Sequence, residues 1–177
     1  MKRLYLITIL LFLFILSCKW EDDKSQIVSK RPAKNEIKEN LIRTNQYLVK
    51  AEEQNIKDFI KRHQYHMTET GSGLWYEIYQ LGDGQKAQKD RIAELRYTIS
   101  LLNGEDIYNT EEEGIKEFLI GKGGVESGLE EGILLLKVGD RARFIIPSHL
   151  AFGLSGDMAK IPEKATIVYD LELLNIK

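Results

Sequence analysis

The part of the chain that most constrains its fold lies between Gly124 and Leu174, close to the C-terminus. Within it, Leu129, Ile133 and Leu136 recur at helical spacing. Two glutamates follow Leu129 directly, in the first turn, where carboxylates are favoured by the positive end of the helix dipole. The sequence therefore predicts a short helix that buries one narrow face.

Two strands and a long loop follow this helix. From Arg141 to Ile146 every second residue is apolar, which predicts a half-buried strand that ends at Pro147. Residues 148–163 carry glycine and proline but no hydrophobic period, so we expect a loop there. Residues 166–174 are rich in β-branched and aromatic side chains, which indicates a closing strand.

The order of these elements and the residues at their ends resemble the C-terminal half of FK506-binding peptidyl-prolyl isomerases. The resemblance implies an α+β fold in which a curved antiparallel sheet wraps around one short helix, with the substrate pocket between them. The matching segments are Gly128–Gly132, Val138–Asp140, Ile146–Pro147, Leu150–Gly153, Gly156, Ile161–Pro162, Ala165–Thr166 and Asp170–Leu173.

The N-terminus has the pattern of an export signal, which we assign to residues 1–17. Lys2 and Arg3 precede the almost wholly apolar segment Leu4–Leu16, which is shorter than the roughly 20 residues that span a bilayer. Ile15–Cys18 resembles the bacterial lipoprotein box, which implies acylation of Cys18, the only cysteine. We therefore expect a lipid anchor at the bacterial cell envelope, with the periplasmic face favoured. The alternative is an ordinary cleaved signal that leaves a free thiol.

Two segments separate Cys18 from the isomerase-like region. Residues 18–35 contain too few apolar side chains to pack, so we interpret them as a tether. Residues 36–69 carry apolar side chains three and four apart and no glycine or proline, which predicts a helical arm. Several exported members of the resembled family carry such an arm, which dimerises or grips client proteins. The alternative is that the arm packs only on its own domain, and the sequence leaves both open.

We assign residues 71–177 to the isomerase domain. Strands are predicted for residues 74–81, which are rich in aromatics, and for residues 91–102, where apolar and polar side chains alternate. A formal net charge of −2 gives no electrostatic basis for binding nucleic acid. His63 and His66 have no further ligands in their pattern, so neither a metal nor a cofactor is expected.

The resemblance implies a pocket for a prolyl residue of a client protein. Rotation about an X-Pro bond crosses a barrier of about 18–20 kcal/mol and needs no nucleophile. It needs a water-poor apolar pocket with a few polar groups directed at the neighbouring carbonyls. Mapped onto this chain, the catalytic residues are Tyr97, Leu129, Phe152 and Tyr169, and the substrate-binding residues are Glu126, Ile161, Ile107 and Tyr108.

The mapped pocket departs from the family at several positions. Leu129 replaces a common tryptophan, and Phe152 replaces a tyrosine that often donates a hydrogen bond to the substrate. Ile107–Thr110 replaces the usual Phe-Asp-Ser-Ser, Glu126 places a carboxylate at the rim, and Lys116 falls where an aromatic residue is frequent. We therefore expect weak, client-selective activity and poor binding of the macrolide FK506.

These features together predict an exported, lipid-anchored peptidyl-prolyl isomerase that assists the folding of other exported or envelope proteins. The chain most resembles the peptidyl-prolyl isomerase lipoproteins associated with gliding motility. The alternative is a binding or assembly module, anchored at the membrane, whose pocket has lost catalysis.

Overall fold

The computed structural model describes residues 34–177. The signal peptide predicted for residues 1–17, the acylated Cys18 and the tether as far as residue 33 lie outside the described residues. The chain divides into two compact units, Met1–Asn40 and Leu41–Lys177. The sheet and both core clusters belong to the second unit.

The described chain contains one long helix, several short helices and a set of strands. Their bounds are α1 Lys34–His63, β1 Thr68–Glu69, β2 Trp75–Gln80, β3 Ile92–Leu101, β4 Asp106–Asn109, α2 Thr110–Glu113, β5 Lys116–Leu119, α3 Ser127–Ile133, β6 Arg141–Ile146, a 3₁₀ turn at Ser148–Leu150, and β7 Ile167–Ile176.

Within residues 34–177 the strands form a seven-stranded sheet in the order β1-β2-β6-β7-β3-β4, and β5 pairs with β3. Every pairing is antiparallel. The two longest strands, β3 and β7, lie side by side from the Ala93–Ile176 pair to the Leu101–Ile167 pair. The predicted α+β class with an antiparallel sheet is therefore confirmed.

The main core lies between one face of this sheet and α3. Leu129 and Ile133 of α3 are fully buried in it. The helix approaches β6 closely because two of its residues are glycines. A Cβ atom at Gly128 would lie 2.4 Å from Cγ2 of Ile146, and one at Gly132 would lie 2.5 Å from Cε2 of Phe144. Any side chain at these positions would push the helix off the sheet.

A second, smaller core lies on the opposite face of the sheet, under the C-terminal half of α1. Ile56 and Phe59 pack there against Ile145 of β6 and Val168 of β7. These two strand residues face outward because side chains alternate along a strand. Packing of the arm on its own domain is thus observed for this half of α1. The preceding turns, by contrast, expose their apolar side chains, namely Leu41, Ile42, Leu48 and Val49.

The arm predicted for residues 36–69 is not helical throughout. Helix α1 already includes residues 34 and 35 of the predicted tether, and it ends at His63. Gln64 has a φ of 57°, in the left-handed region where helices commonly end, and Tyr65 N–H donates to the carbonyl of Ile60. Strand β1 then pairs with β2, so the sheet begins before the predicted domain boundary at residue 71.

Candidate active site

The structure brings the predicted pocket residues together at the sheet face that α3 covers. Tyr97 on β3, Tyr169 on β7 and Leu129 on α3 are all buried in the main core. The ring centroids of the two tyrosines are 6.0 Å apart, at an interplanar angle of 42°. Burial is the largest cause that raises the pKa of Tyr97, followed by the negative charges of Glu113 and Glu126.

Four further predicted contacts belong to or pack against the same core. Ile107 on β4 and Ile161 in the β6–β7 connection are buried in the same core, and Tyr108 and Phe152 pack against it while partly exposed. These seven predicted residues therefore come from five different parts of the fold. Whether each of them acts on a substrate stays a prediction.

Glu126 lies deeper than its sequence position suggests. We predicted a carboxylate at the rim of the pocket, but only 7% of the residue is exposed and its carboxylate is directed inward, to Tyr169. Its Oε1 accepts a hydrogen bond of 3.0 Å from the hydroxyl of Tyr169. Its Oε2 is buried and has no hydrogen-bond partner within residues 34–177. The side chain turns inward because the fully buried tyrosine hydroxyl also needs a partner.

Lys116 on β5 completes a polar chain through the pocket. Its Nζ donates to the Tyr169 hydroxyl at 3.1 Å. The same ammonium lies 5.1 Å from the ring centroid of Tyr97 and 5.6 Å from that of Tyr169, within the range of cation–π attraction. Burial raises the pKa of Tyr169 well above its usual range, and the charge of Glu126 adds to this. The hydroxyl therefore stays protonated and donates to the carboxylate.

Tyr108 is tied to the β6–β7 connection by Asp157, a residue that the sequence did not single out. The Tyr108 hydroxyl donates to Asp157 Oδ2 at 2.5 Å, and the backbone N–H of Ile161 donates to Oδ1 at 2.8 Å. Burial alone would raise the pKa of Asp157, but these hydrogen bonds outweigh it and lower the pKa. The aspartate thus fixes Ile161 relative to β4. In the sequence, the only indication of this role is that an aspartate lies four residues before the predicted contact Ile161.

Two clefts have linings that include predicted pocket residues or Lys116. One, of about 330 Å³, is lined by residues that include Lys116, Glu126 and Phe152. The other, of about 350 Å³, is lined by residues that include Tyr97 and Thr110. Glu126 and Phe152 therefore border one cleft and Tyr97 the other, while the fully buried Leu129 borders neither.

Within residues 34–177, no cluster of three or more histidine, cysteine or carboxylate side chains is arranged to bind a metal ion. In the same range, no helix combines the length and apolar character needed to cross a bilayer.

The fold is that of known peptidyl-prolyl isomerases. It matches the crystal structure of FkpA from Escherichia coli with a TM-score of 0.60, over 83% of this chain and 74% of that one, at 24% sequence identity. In sequence, the chain is 41% identical over 103 residues to FK506-binding protein 1 of Debaryomyces hansenii, which covers 56% of this chain and 91% of that protein. It is 30% identical over 157 residues to FkpA of Aeromonas hydrophila, covering 88% of this chain and 54% of that one.

The family model for FKBP-type peptidyl-prolyl cis-trans isomerases matches residues 83–174. This chain belongs to the FKBP-type peptidyl-prolyl cis-trans isomerase family. The enzyme class predicted from the sequence is therefore confirmed at the level of the family. Several relatives are longer proteins, and the chain spans 54% of the Aeromonas FkpA and 29% of an FK506-binding protein 4 from Rhizopus delemar.

The Tyr169–Glu126 hydrogen bond gives a prediction about stability. Tyr169→Phe leaves Glu126 without its only partner in the described chain, so the free energy of unfolding falls by about 1–3 kcal/mol. In the double variant with Glu126→Leu, no carboxylate is left buried without a partner, and much of this loss is recovered. Urea unfolding of the full chain measures both values. If the double variant loses as much free energy of unfolding as the two single variants together, the pair is not coupled.

Proposed function

We propose that this protein is a peptidyl-prolyl cis-trans isomerase that assists the folding of proline-containing exported or envelope proteins. The observation that carries the proposal is the convergence of Tyr97, Tyr169 and Leu129 at one sheet face, in a chain of this family. The partly exposed Phe152 and the buried Ile161 border the same region from the β6–β7 connection.

The proposed mechanism needs only binding and orientation. The twisted amide of the transition state has a less polar carbonyl than the planar one, so an apolar, water-poor surface favours it over the ground state. The aromatic side chains and Ile161 supply this surface for the prolyl ring. Phe152 has no hydroxyl to direct at a substrate carbonyl, and Lys116 is the nearest cationic donor on the same cleft.

Lys116 also explains why we expect weak activity. Its ammonium lies over both tyrosine rings and donates to one hydroxyl, so a prolyl ring that packs there has to displace it. A cation–π contact contributes about 0.5–2 kcal/mol, and about 1.4 kcal/mol corresponds to a factor of ten in binding. Displacing Lys116 therefore lowers affinity for clients, and for a macrolide such as FK506, by roughly one order of magnitude.

An assay of proline-limited refolding tests the isomerase proposal. The full chain should accelerate the slow phase of a model protein, and Phe152→Ala should lower kcat/KM about 10-fold, equivalent to about 1.4 kcal/mol of transition-state stabilisation. Leu154→Ala is the matched control, because this residue lies on the same connection but is 75% exposed and outside the pocket. Equal losses in the two variants would argue against a role for Phe152.

The position of Lys116 and the absence of a hydroxyl at Phe152 also favour a second candidate, a binding module without catalysis. The same assay separates the two. If the folded full chain leaves the refolding rate unchanged while it binds proline-containing peptides, the binding module is the correct reading. Acceleration above the uncatalysed rate excludes it.

We propose further that the protein is anchored through acylated Cys18 at the bacterial envelope, facing the periplasm. The basic start, the short apolar segment and the lipoprotein-like Ile15–Cys18 support this. The resemblance to gliding-motility-associated isomerase lipoproteins extends the proposal to clients that serve gliding motility.

Metabolic labelling with a fatty-acid analogue tests the anchor. The wild-type chain should incorporate the label and fractionate with membranes, whereas Cys18→Ala should do neither, because the acylated thiol is gone. Equal incorporation in both chains would defeat the proposal.

We propose that α1 mediates a homodimer. Leu41, Ile42, Leu48 and Val49 continue the apolar side of α1 beyond the part that packs on the sheet, and all four are exposed. A second copy of the same helix offers a matching apolar surface.

Sedimentation velocity measures the association state. Leu48→Lys should shift the protein to a monomer, because it places a charge within the apolar surface. Tyr47→Lys should not, because this neighbouring residue, 72% exposed, points about 100° away around the helix. A wild-type chain that is monomeric at every concentration measured would disprove the dimer.

A further inference from the structure

One carboxylate on α1 contacts both ends of the connection between β6 and β7. Glu52 Oε1 accepts a hydrogen bond of 2.6 Å from the backbone N–H of Ser148, and Oε2 accepts one of 3.1 Å from the Ser148 hydroxyl. The same Oε1 accepts a bond of 2.7 Å from the hydroxyl of Thr166, which is buried. Ser148 follows the end of β6, and Thr166 immediately precedes β7.

Glu52 reaches these groups because of how α1 packs. It precedes Ile56 by four residues, so the two side chains lie on the same side of the helix. Ile56 and Phe59 hold this side against Ile145 and Val168, next to the ends of β6 and β7. The final pair of those strands, Ile146 with Ile167, keeps the two ends of the connection adjacent. A single carboxylate can therefore bind both.

The contacts continue from Ser148 to the pocket residues. The Ser148 carbonyl accepts hydrogen bonds from the N–H of Ala151 at 3.1 Å and of Gly153 at 2.8 Å, on either side of Phe152. The Gly153 carbonyl in turn accepts from Lys164 at 2.9 Å, near the far end of the connection. The position of Phe152 is thus linked to Glu52 through short hydrogen-bonded steps.

We propose that Glu52 is a positioning residue for the isomerase reaction, which holds the β6–β7 connection so that Phe152 and Ile161 border the pocket. The inference rests on the proposed function of that pocket. Glu52 touches neither the substrate nor the reacting bond. It sets the fraction of molecules in which the connection has its binding-competent conformation, and the apparent dissociation constant equals the intrinsic one divided by that fraction.

This account predicts a specific kinetic signature in the full chain. Glu52→Ala should raise KM about 10-fold and change kcat less than about 2-fold, because a smaller competent fraction weakens binding without altering the chemistry. Glu53→Ala is the matched control, because among residues 34–177 the adjacent carboxylate pairs only with Lys57, on the same helix. Its KM and kcat should stay at the wild-type values.

Amide hydrogen exchange supplies a readout that does not depend on turnover. In Glu52→Ala, the amides of Ser148 and Gly153 should exchange faster, while the amides of the β3–β7 ladder keep their protection. Glu52→Gln, which retains an acceptor oxygen, should restore part of the protection and part of the KM. Thr166→Val removes a single hydrogen bond and should raise KM about 3-fold in a chain that stays folded.

The outcomes separate this inference from the proposed function. A wild-type chain without isomerase activity overturns the proposed function and the inference with it. An active wild type, together with a folded Glu52→Ala that has wild-type KM and loop exchange, overturns only the inference. Loss of protection throughout the β3–β7 ladder in both Glu52→Ala and Thr166→Val shows a merely structural role, which also overturns it.

Discussion

The pairing of β3 with β7 is the constraint on which the rest of the structure depends. These strands place Tyr97 opposite Leu171 and Ile99 opposite Tyr169, so the two tyrosines lie diagonally on one face of the sheet. A shift of the register by a single residue would turn one of them to the opposite face. The site therefore exists only because the hydrophobic alternation of both strands agrees on one register. The irregularity between Glu94 and Leu95 adjusts that register before Tyr97 is reached.

Helix α3 can use this face because its two glycines leave room for the side chains of Ile146 and Phe144 on β6. Leu129 is then fully buried in the same core as the two tyrosines. Polar groups enter this apolar region only as a connected chain from Lys116 through Tyr169 to Glu126. The one buried side-chain atom that the chain leaves unsatisfied in the described residues is Glu126 Oε2.

Much of this architecture follows from local patterns in the sequence. The alternation in β3 and β6 and the helical spacing around Leu129 predicted the strands and the helix, because burial on one face leaves a regular period. The α+β class was implied by the family resemblance. The burial of Glu126 could not be predicted in this way. It depends on a hydroxyl 43 residues further along the chain, and residue type alone favours the surface for a glutamate.

The same limit applies to α1 and to the β6–β7 connection. The end of α1 depends on the left-handed conformation of Gln64, a residue type that gives no warning of it. The roles of Asp157 and Glu52 come from contacts across the fold, which no periodicity records. The family model has a similar limit, since its match begins at residue 83 and leaves α1 and β2 outside it.

The outward face of β6 and β7 carries Ile145 and Val168, and α1 shields these side chains from solvent. The sheet is consequently the middle layer of a three-layer arrangement, with one helix on each side of it. The family model, whose match begins at residue 83, leaves the α1 layer outside it. A fragment that begins where the family match begins would expose the apolar side chains on this face of the central strands to solvent, and we expect it to self-associate. The unit that folds and packs together is therefore larger than the segment that the family model matches.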